Sequence, residues 1–88
     1  MVVKYEKSFL KDIKKLDDKS IASKLKVKLL EFEDAQNLQE HINIKKLKGY
    51  KTYYRLKIGN YRLGFSYTDG VVSIVRFLHR KDIYRLFP

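Results

Sequence analysis

The sequence predicts an α+β domain, in which an N-terminal strand and a helical hairpin pack on an antiparallel sheet of three to four further strands. Three observations predict it. The spacing of apolar residues is near 3.6 up to about residue 35 and 2 beyond residue 41. Two-residue turn signals, Gly59-Asn60 and Asp69-Gly70, separate runs of alternating residues. The length of 88 residues, 44% of them hydrophobic, fits one domain, 1–88, with a modest core.

The elements follow in order. Residues 2–5 read as a short strand. Residues 8–16 carry Phe9, Ile13 and Leu16 at spacings of four and three, which predicts a helix. Asp17-Asp18 breaks it. A longer helix spans 19–35, with Ile21, Ala22, Leu25, Leu29 and Phe32 as its stripe. Lys24, Lys26 and Lys28 lie mainly off that stripe, as a solvated face. Residues 36–41 are polar and read as a loop. Residues 42–48 are a weak strand candidate, interrupted by Gly49-Tyr50. Residues 52–58, 61–67 and 71–78 are strands joined by the two turn signals, hence antiparallel. A short helical or irregular tail, 80–88, closes the chain.

Composition narrows the function classes. Cysteine is absent, which excludes a disulfide framework and a thiolate metal site. The first residues lack the apolar run of a signal peptide, and no apolar stretch approaches a membrane span. A cytoplasmic protein with no membrane contact is the expectation. The net charge is +10, and it is uneven. Residues 1–40 carry nine lysines against eight acids, and residues 41–88 carry eleven Lys and Arg against two acids. The halves therefore differ as +1 against +9, and a basic half this poor in acids points to a polyanionic partner.

The Gly59-Asn60 hairpin concentrates that charge. A two-residue loop pairs Ile58 with Tyr61, Lys57 with Arg62, Leu56 with Leu63, Arg55 with Gly64 and Tyr54 with Phe65. Alternation then puts Tyr54, Leu56, Ile58, Tyr61, Leu63 and Phe65 on a core face. Tyr53, Arg55, Lys57, Arg62, Gly64 and Ser66 share the other face. Opposed like charges destabilise a strand pair, so either the long side chains of Lys57 and Arg62 splay into water or an anion belongs between them, and a phosphodiester would satisfy both charges. Gly64 reads as a bare spot where a nucleotide can approach the sheet. A strict loop at Asp69-Gly70 would set Arg76 on the core face opposite Leu63, so a bulge or a longer turn is expected there. His79, Arg80, Lys81 and Tyr84 follow the last strand, beside the same sheet.

The chain resembles the RelE branch of the RelE/ParE toxin superfamily. The resemblance rests on Lys14-Lys15-Leu16, Leu47-Lys48-Gly49, Tyr54-Arg55-Leu56-Lys57, Tyr61-Arg62-Leu63 and His79-Arg80-Lys81-Asp82-Ile83-Tyr84, in that order. It covers residues 2–84 and implies the fold read above. It also implies a ribosome-dependent mRNA endoribonuclease that inhibits translation and is neutralised by a cognate acidic antitoxin.

The family's basic and tyrosine positions fall on Arg55, Lys57, Arg62, Arg80 and Tyr84. Arg55 stands where lysine is common, which suits phosphate binding better than proton transfer. The implied chemistry is attack by a ribose 2′-hydroxyl on the adjacent phosphate. Arg62 and Arg80 would stabilise the transition-state charge, and Lys57 or Tyr84 would act as base. Tyr84 alternatively stacks on a nucleobase, and His79 is a candidate acid. Arg55, His79, Lys81, Lys48 and Lys51 are expected to contact RNA. No metal and no small-molecule cofactor is expected. Two other readings are a ParE-type toxin poisoning DNA gyrase and a non-catalytic RNA-binding module.

Overall fold

The computed structural model describes residues 1–38 and 44–88. The elements are β1 (Val2–Tyr5), α1 (Lys7–Lys15), α2 (Lys19–Asp34), β2 (Ile44–Lys46), β3 (Tyr53–Ile58), β4 (Tyr61–Thr68), β5 (Val71–His79) and α3 (Arg80–Leu86). The expected α+β class and helical hairpin are present. The third, fourth and fifth strands stand within a residue of their expected ends. The expected strand at 42–48 shortens to Ile44–Lys46. Its first two positions, and His41 in the loop before them, lie outside the described residues.

The five strands form one sheet in the order β1-β5-β4-β3-β2. β1 runs parallel to β5 and the other neighbours are antiparallel. The expected pairing across Gly59-Asn60 is observed at every position from Ile58↔Tyr61 to Tyr54↔Phe65, and it continues to Tyr53↔Ser66. Gly59 has φ +58°, whereas Asn60 is not in the positive region, as a type II′ turn requires. Asp69 and Gly70 both have positive φ, the I′ pattern.

A bulge after the second turn decides the fate of Arg76. Phe65 pairs with Ile74 but Gly64 pairs with Arg76, so Val75 is the extra residue. Phe77 thereby takes the place opposite Leu63 that a strict loop would give to Arg76. α1 anchors this irregular stretch. The Ser8 hydroxyl donates to the Val75 carbonyl at 2.6 Å. One turn on, the Asp12 carboxylate accepts from the Arg76 guanidinium through both oxygens at 2.9 Å, and from the Phe77 N–H at 2.9 Å. Beyond Tyr5, where β1 stops pairing, α1 thus satisfies part of the β5 edge.

The main core lies between this sheet and the helical hairpin. Leu56, Ile58, Leu63, Phe65, Val72, Ile74 and Phe77 meet Phe9, Ile21, Leu25 and Phe32. The rings of Phe32 and Phe65 stand 5.2 Å apart, and Tyr54 stacks on Phe65 at 5.7 Å. The Asp18 side chain caps α2 by accepting from the Ile21 N–H at 3.0 Å. Asp17-Asp18 is therefore a cap as well as a break.

The tail corrects the picture of an open cationic face. It is a helix, and its end crosses the sheet on the side away from α1 and α2. Ile83 and Phe87 are buried there. A Cβ placed on Gly64 would meet three atoms of the Phe87 ring at 2.7–2.9 Å. Gly64 is bare to receive this ring and is itself buried, so it is not open to a nucleotide. Among the described residues no helix is long and apolar enough to cross a membrane.

Candidate functional site

β3 and β4 present their cationic residues toward a groove beside α3. Lys45, Arg55, Lys57, Arg62 and Tyr84 line it. Two cross-strand pairs make its floor: Lys45 opposite Arg55 on β2 and β3, and Lys57 opposite Arg62 on β3 and β4. Opposed positions bring Cβ atoms to about 5 Å, so four cationic stems crowd one short stretch of sheet. Among the described residues that line it, none is acidic.

Each cation is held differently. Arg62 folds back over its own turn, donating from Nη1 to the Gly59 carbonyl at 3.1 Å and the Tyr61 carbonyl at 2.9 Å. These neutral acceptors position the guanidinium without cancelling its charge. The rest of its five donors has no partner among the described residues. Arg55 places its guanidinium carbon 4.5 Å from the centre of the Tyr84 ring, a cation–π contact. Tyr84 is nevertheless 67% exposed. Lys57 and Lys45 are exposed and make no ion pair among the described residues.

The remaining expected residues divide. Arg80 lies one turn before Tyr84 on the same helical face, at the hairpin end of the groove, and its N–H donates to the Asn60 carbonyl at 2.8 Å. Its side chain is exposed and is not among the groove-lining residues.

His79 does not join the groove. The register sets it opposite Tyr61 on the core face, and it lines a separate depression with Asp12, Lys15 and Asp82. Its Nδ1 accepts from the Lys81 N–H at 3.2 Å as the cap of α3. Sequence order put His79 beside the sheet, but alternation puts it on the wrong face for an acid in this groove. Lys81 is exposed beyond this cap, outside the groove. Lys48 and Lys51 are exposed in the turn between β2 and β3, beyond the groove's other end.

Lys45 is the lining residue that sequence reasoning missed. Its signal was present in the weak strand at 42–48. The connection to β3 is too long for a fixed-register turn, however, and only the tertiary pairing reveals that Lys45 faces Arg55.

Comparisons with known proteins identify the family and the fold. The family model described as the ParE toxin of type II toxin–antitoxin systems matches residues 3–84. Toxin RelE3 of Methanocaldococcus jannaschii is 38% identical, with the whole of both chains covered. The chain belongs to the RelE/ParE toxin superfamily. Within it, the chain is a RelE-type toxin. The toxin fold in a RelB–RelE antitoxin–toxin complex from Methanococcus jannaschii superposes with a TM-score of 0.82 at 36% identity, covering 97% of this chain and 99% of that one. The intact Escherichia coli RelBE complex contributes a second match, with a TM-score of 0.68 at 26% identity over 89% and 94% of the two chains. The RelE branch resemblance and the α+β toxin fold read from the sequence are therefore borne out. The groove lies on the face of β3 and β4 that carries Arg55, Lys57 and Arg62.

Proposed function

We propose that this RelE-type toxin is an endoribonuclease that cuts messenger RNA in the ribosome and so halts translation in the cytoplasm, and that an acidic antitoxin holds it inactive. One observation carries the reading: among the described residues, four cations without a carboxylate line a groove over which Tyr84 hangs exposed. A surface in which Lys57 faces Arg62 is unfavourable until an anion enters, and a phosphodiester supplies one.

The chemistry follows from what the groove holds. The ribose 2′-oxygen loses its proton and bonds to the adjacent phosphorus. The bond from phosphorus to the 5′-oxygen breaks, and that oxygen takes up a proton. The products are a 2′,3′-cyclic phosphate and a free 5′-hydroxyl. Arg62 and Arg55 stabilise the added charge on the non-bridging oxygens, and Arg80 joins them from α3. Arginine does not give up its proton, so the groove's proton-transfer groups are Lys45, Lys57 and Tyr84, of which Lys57, opposite Arg62, and Tyr84 are assigned to the reaction. Among the described residues the lining offers no carboxylate or imidazole for a divalent cation, which supports metal-independent cleavage. The groove is short and open, so a ribosome has to hold the RNA in attacking geometry.

The antitoxin reading rests on the same charge and on the relatives crystallised with RelB partners. An acidic segment over the groove would associate fast and with strong salt dependence.

Primer extension on messenger RNA, with and without ribosomes and chelator, tests the activity. The expected result is cutting only on ribosomes and unchanged by chelator. The ParE description of the matching family model favours a second reading, gyrase poisoning. Inhibition of gyrase supercoiling with messenger RNA left intact would establish it instead.

A further inference from the structure

Beyond the groove, past Tyr53, lies the turn between β2 and β3, whose chemistry the cleavage step does not use. That turn reads Lys48-Gly49-Tyr50-Lys51. Gly49 has φ +80°, a conformation that glycine adopts freely, and the Tyr50 N–H closes the turn on the Leu47 carbonyl at 3.3 Å. Tyr50 is 48% exposed although aromatic. It meets Tyr53 edge to face at 5.6 Å, and Tyr53 meets the buried Phe87 in the same way at 5.5 Å. Tyr53 is thus anchored without Tyr50, and Tyr50 is anchored by Tyr53. In an edge-to-face pair each ring uses at most one face, so Tyr50 keeps a face for another partner. Lys48 and Lys51 flank it, exposed and without ion pairs among the described residues.

We propose that Tyr50 is a nucleobase-stacking platform that reads the messenger RNA beside the cleavage groove, with Lys48 and Lys51 on the flanking phosphates. The proposal rests on the endoribonuclease reading and adds a specificity-determining residue to it. Tyr53 and Arg55 share a strand face about 7 Å apart, which sets the Tyr50 ring on the order of 10 Å from Arg55. That spans roughly three stacked nucleotide steps of about 3.4 Å each. The platform therefore takes a base two or three positions from the cut, within the reach of one codon. An exposed ring between cations suits this task because every base has a face to stack and the phosphates supply the counter-charge.

Two variants test it. Tyr50→Ala should melt with the parent, cut ribosome-bound messenger about tenfold more slowly, as the loss of one stacked base implies, and lose site preference. Tyr50→Trp should retain rate and preference. It also installs the only tryptophan in the chain, whose fluorescence a short RNA with 2′-deoxy substitution at the cut should quench. Unchanged rate and sites in Tyr50→Ala would overturn the proposal while the nuclease reading stands. If the parent toxin cuts nothing, the nuclease reading fails, and the quenching decides alone whether Tyr50 meets RNA. No quenching overturns the platform. Unchanged cleavage with weakened antitoxin binding would also overturn it, by assigning the ring to the antitoxin.

Discussion

Arg62 and Arg76 lie on neighbouring strands of one sheet and end in opposite electrical surroundings. Arg76, beyond the bulge, is clasped by both oxygens of Asp12, whose side chain is only 7% exposed. Arg62, at the tight hairpin, touches among the described residues two neutral carbonyls and no acid, and it faces Lys57. The first arginine joins a helix to a sheet edge. The second stands in a groove lined by three other cations and a tyrosine. An arginine given its acid inside the protein is scaffold, and one given only cations awaits an anion from outside.

The largest way to break this comparison is Asp12→Ala. It strands the Arg76 guanidinium and the Phe77 N–H together. A loss of about 3 kcal/mol is expected, at the low end for a broken buried pair because Arg76 keeps some contact with water. Thermal melting should show a fall of more than roughly ten degrees for a domain of this size. A fall of a degree or two would mean that the clasp is dispensable and the contrast with Arg62 overdrawn.

Arg62→Ala comes next and should act on the other axis. Cleavage should drop on the order of a hundredfold, about 2.7 kcal/mol, as for one preorganised charge removed from a transition state. The hairpin loses two carbonyl contacts but is relieved of its repulsion with Lys57, so stability should move by under about 1 kcal/mol. Melting and primer extension on one preparation read both. A large melting loss with cleavage retained would make Arg62 scaffold after all.

Gly64→Ala sharpens the contrast. The added methyl would press on Phe87, and overpacking of this kind costs about 1–2 kcal/mol. Melting should fall, and cleavage should fall with it as α3 and Tyr84 shift. Lost cleavage at unchanged melting would return Gly64 to the role of an open floor for RNA.

The smallest effect is at Tyr5. Its hydroxyl donates to Glu33 at 3.3 Å, and burial, then the Glu33 charge and that hydrogen bond, raise its pKa above the ordinary value. The neutral phenol is the form the fold favours. Its contribution is therefore complete below about pH 10 and lost as pH rises through the folded-state value. Stability against pH for the parent and Tyr5→Phe should converge above pH 10. Parallel curves would show that the contact is inert.

The site's centre was legible because a two-residue loop leaves no freedom of register. Once Gly59-Asn60 is the turn, Lys57 must face Arg62 and Arg55 must face Gly64. His79, Lys48 and Lys51 were placed by nearness in sequence, which says nothing about faces or about which end of the groove a residue occupies. The covering of Gly64 by Phe87 joins residues 23 positions apart through no regular pairing, and no local pattern announces it.

By itself the sequence determined the class of fold, the hairpin at the heart of the groove, the excess of positive charge and the family. These follow from period, turn chemistry and composition, which act over a few residues or over the whole chain. Only the tertiary structure decided that β1 pairs parallel with β5, that Lys45 completes the cationic floor, that Asp12 neutralises Arg76, and that α3 carries Tyr84 over Arg55. Each of these is a contact between segments joined by long or irregular connections. Their geometry is set by the packing of the whole domain and by the need of each buried polar group for a partner.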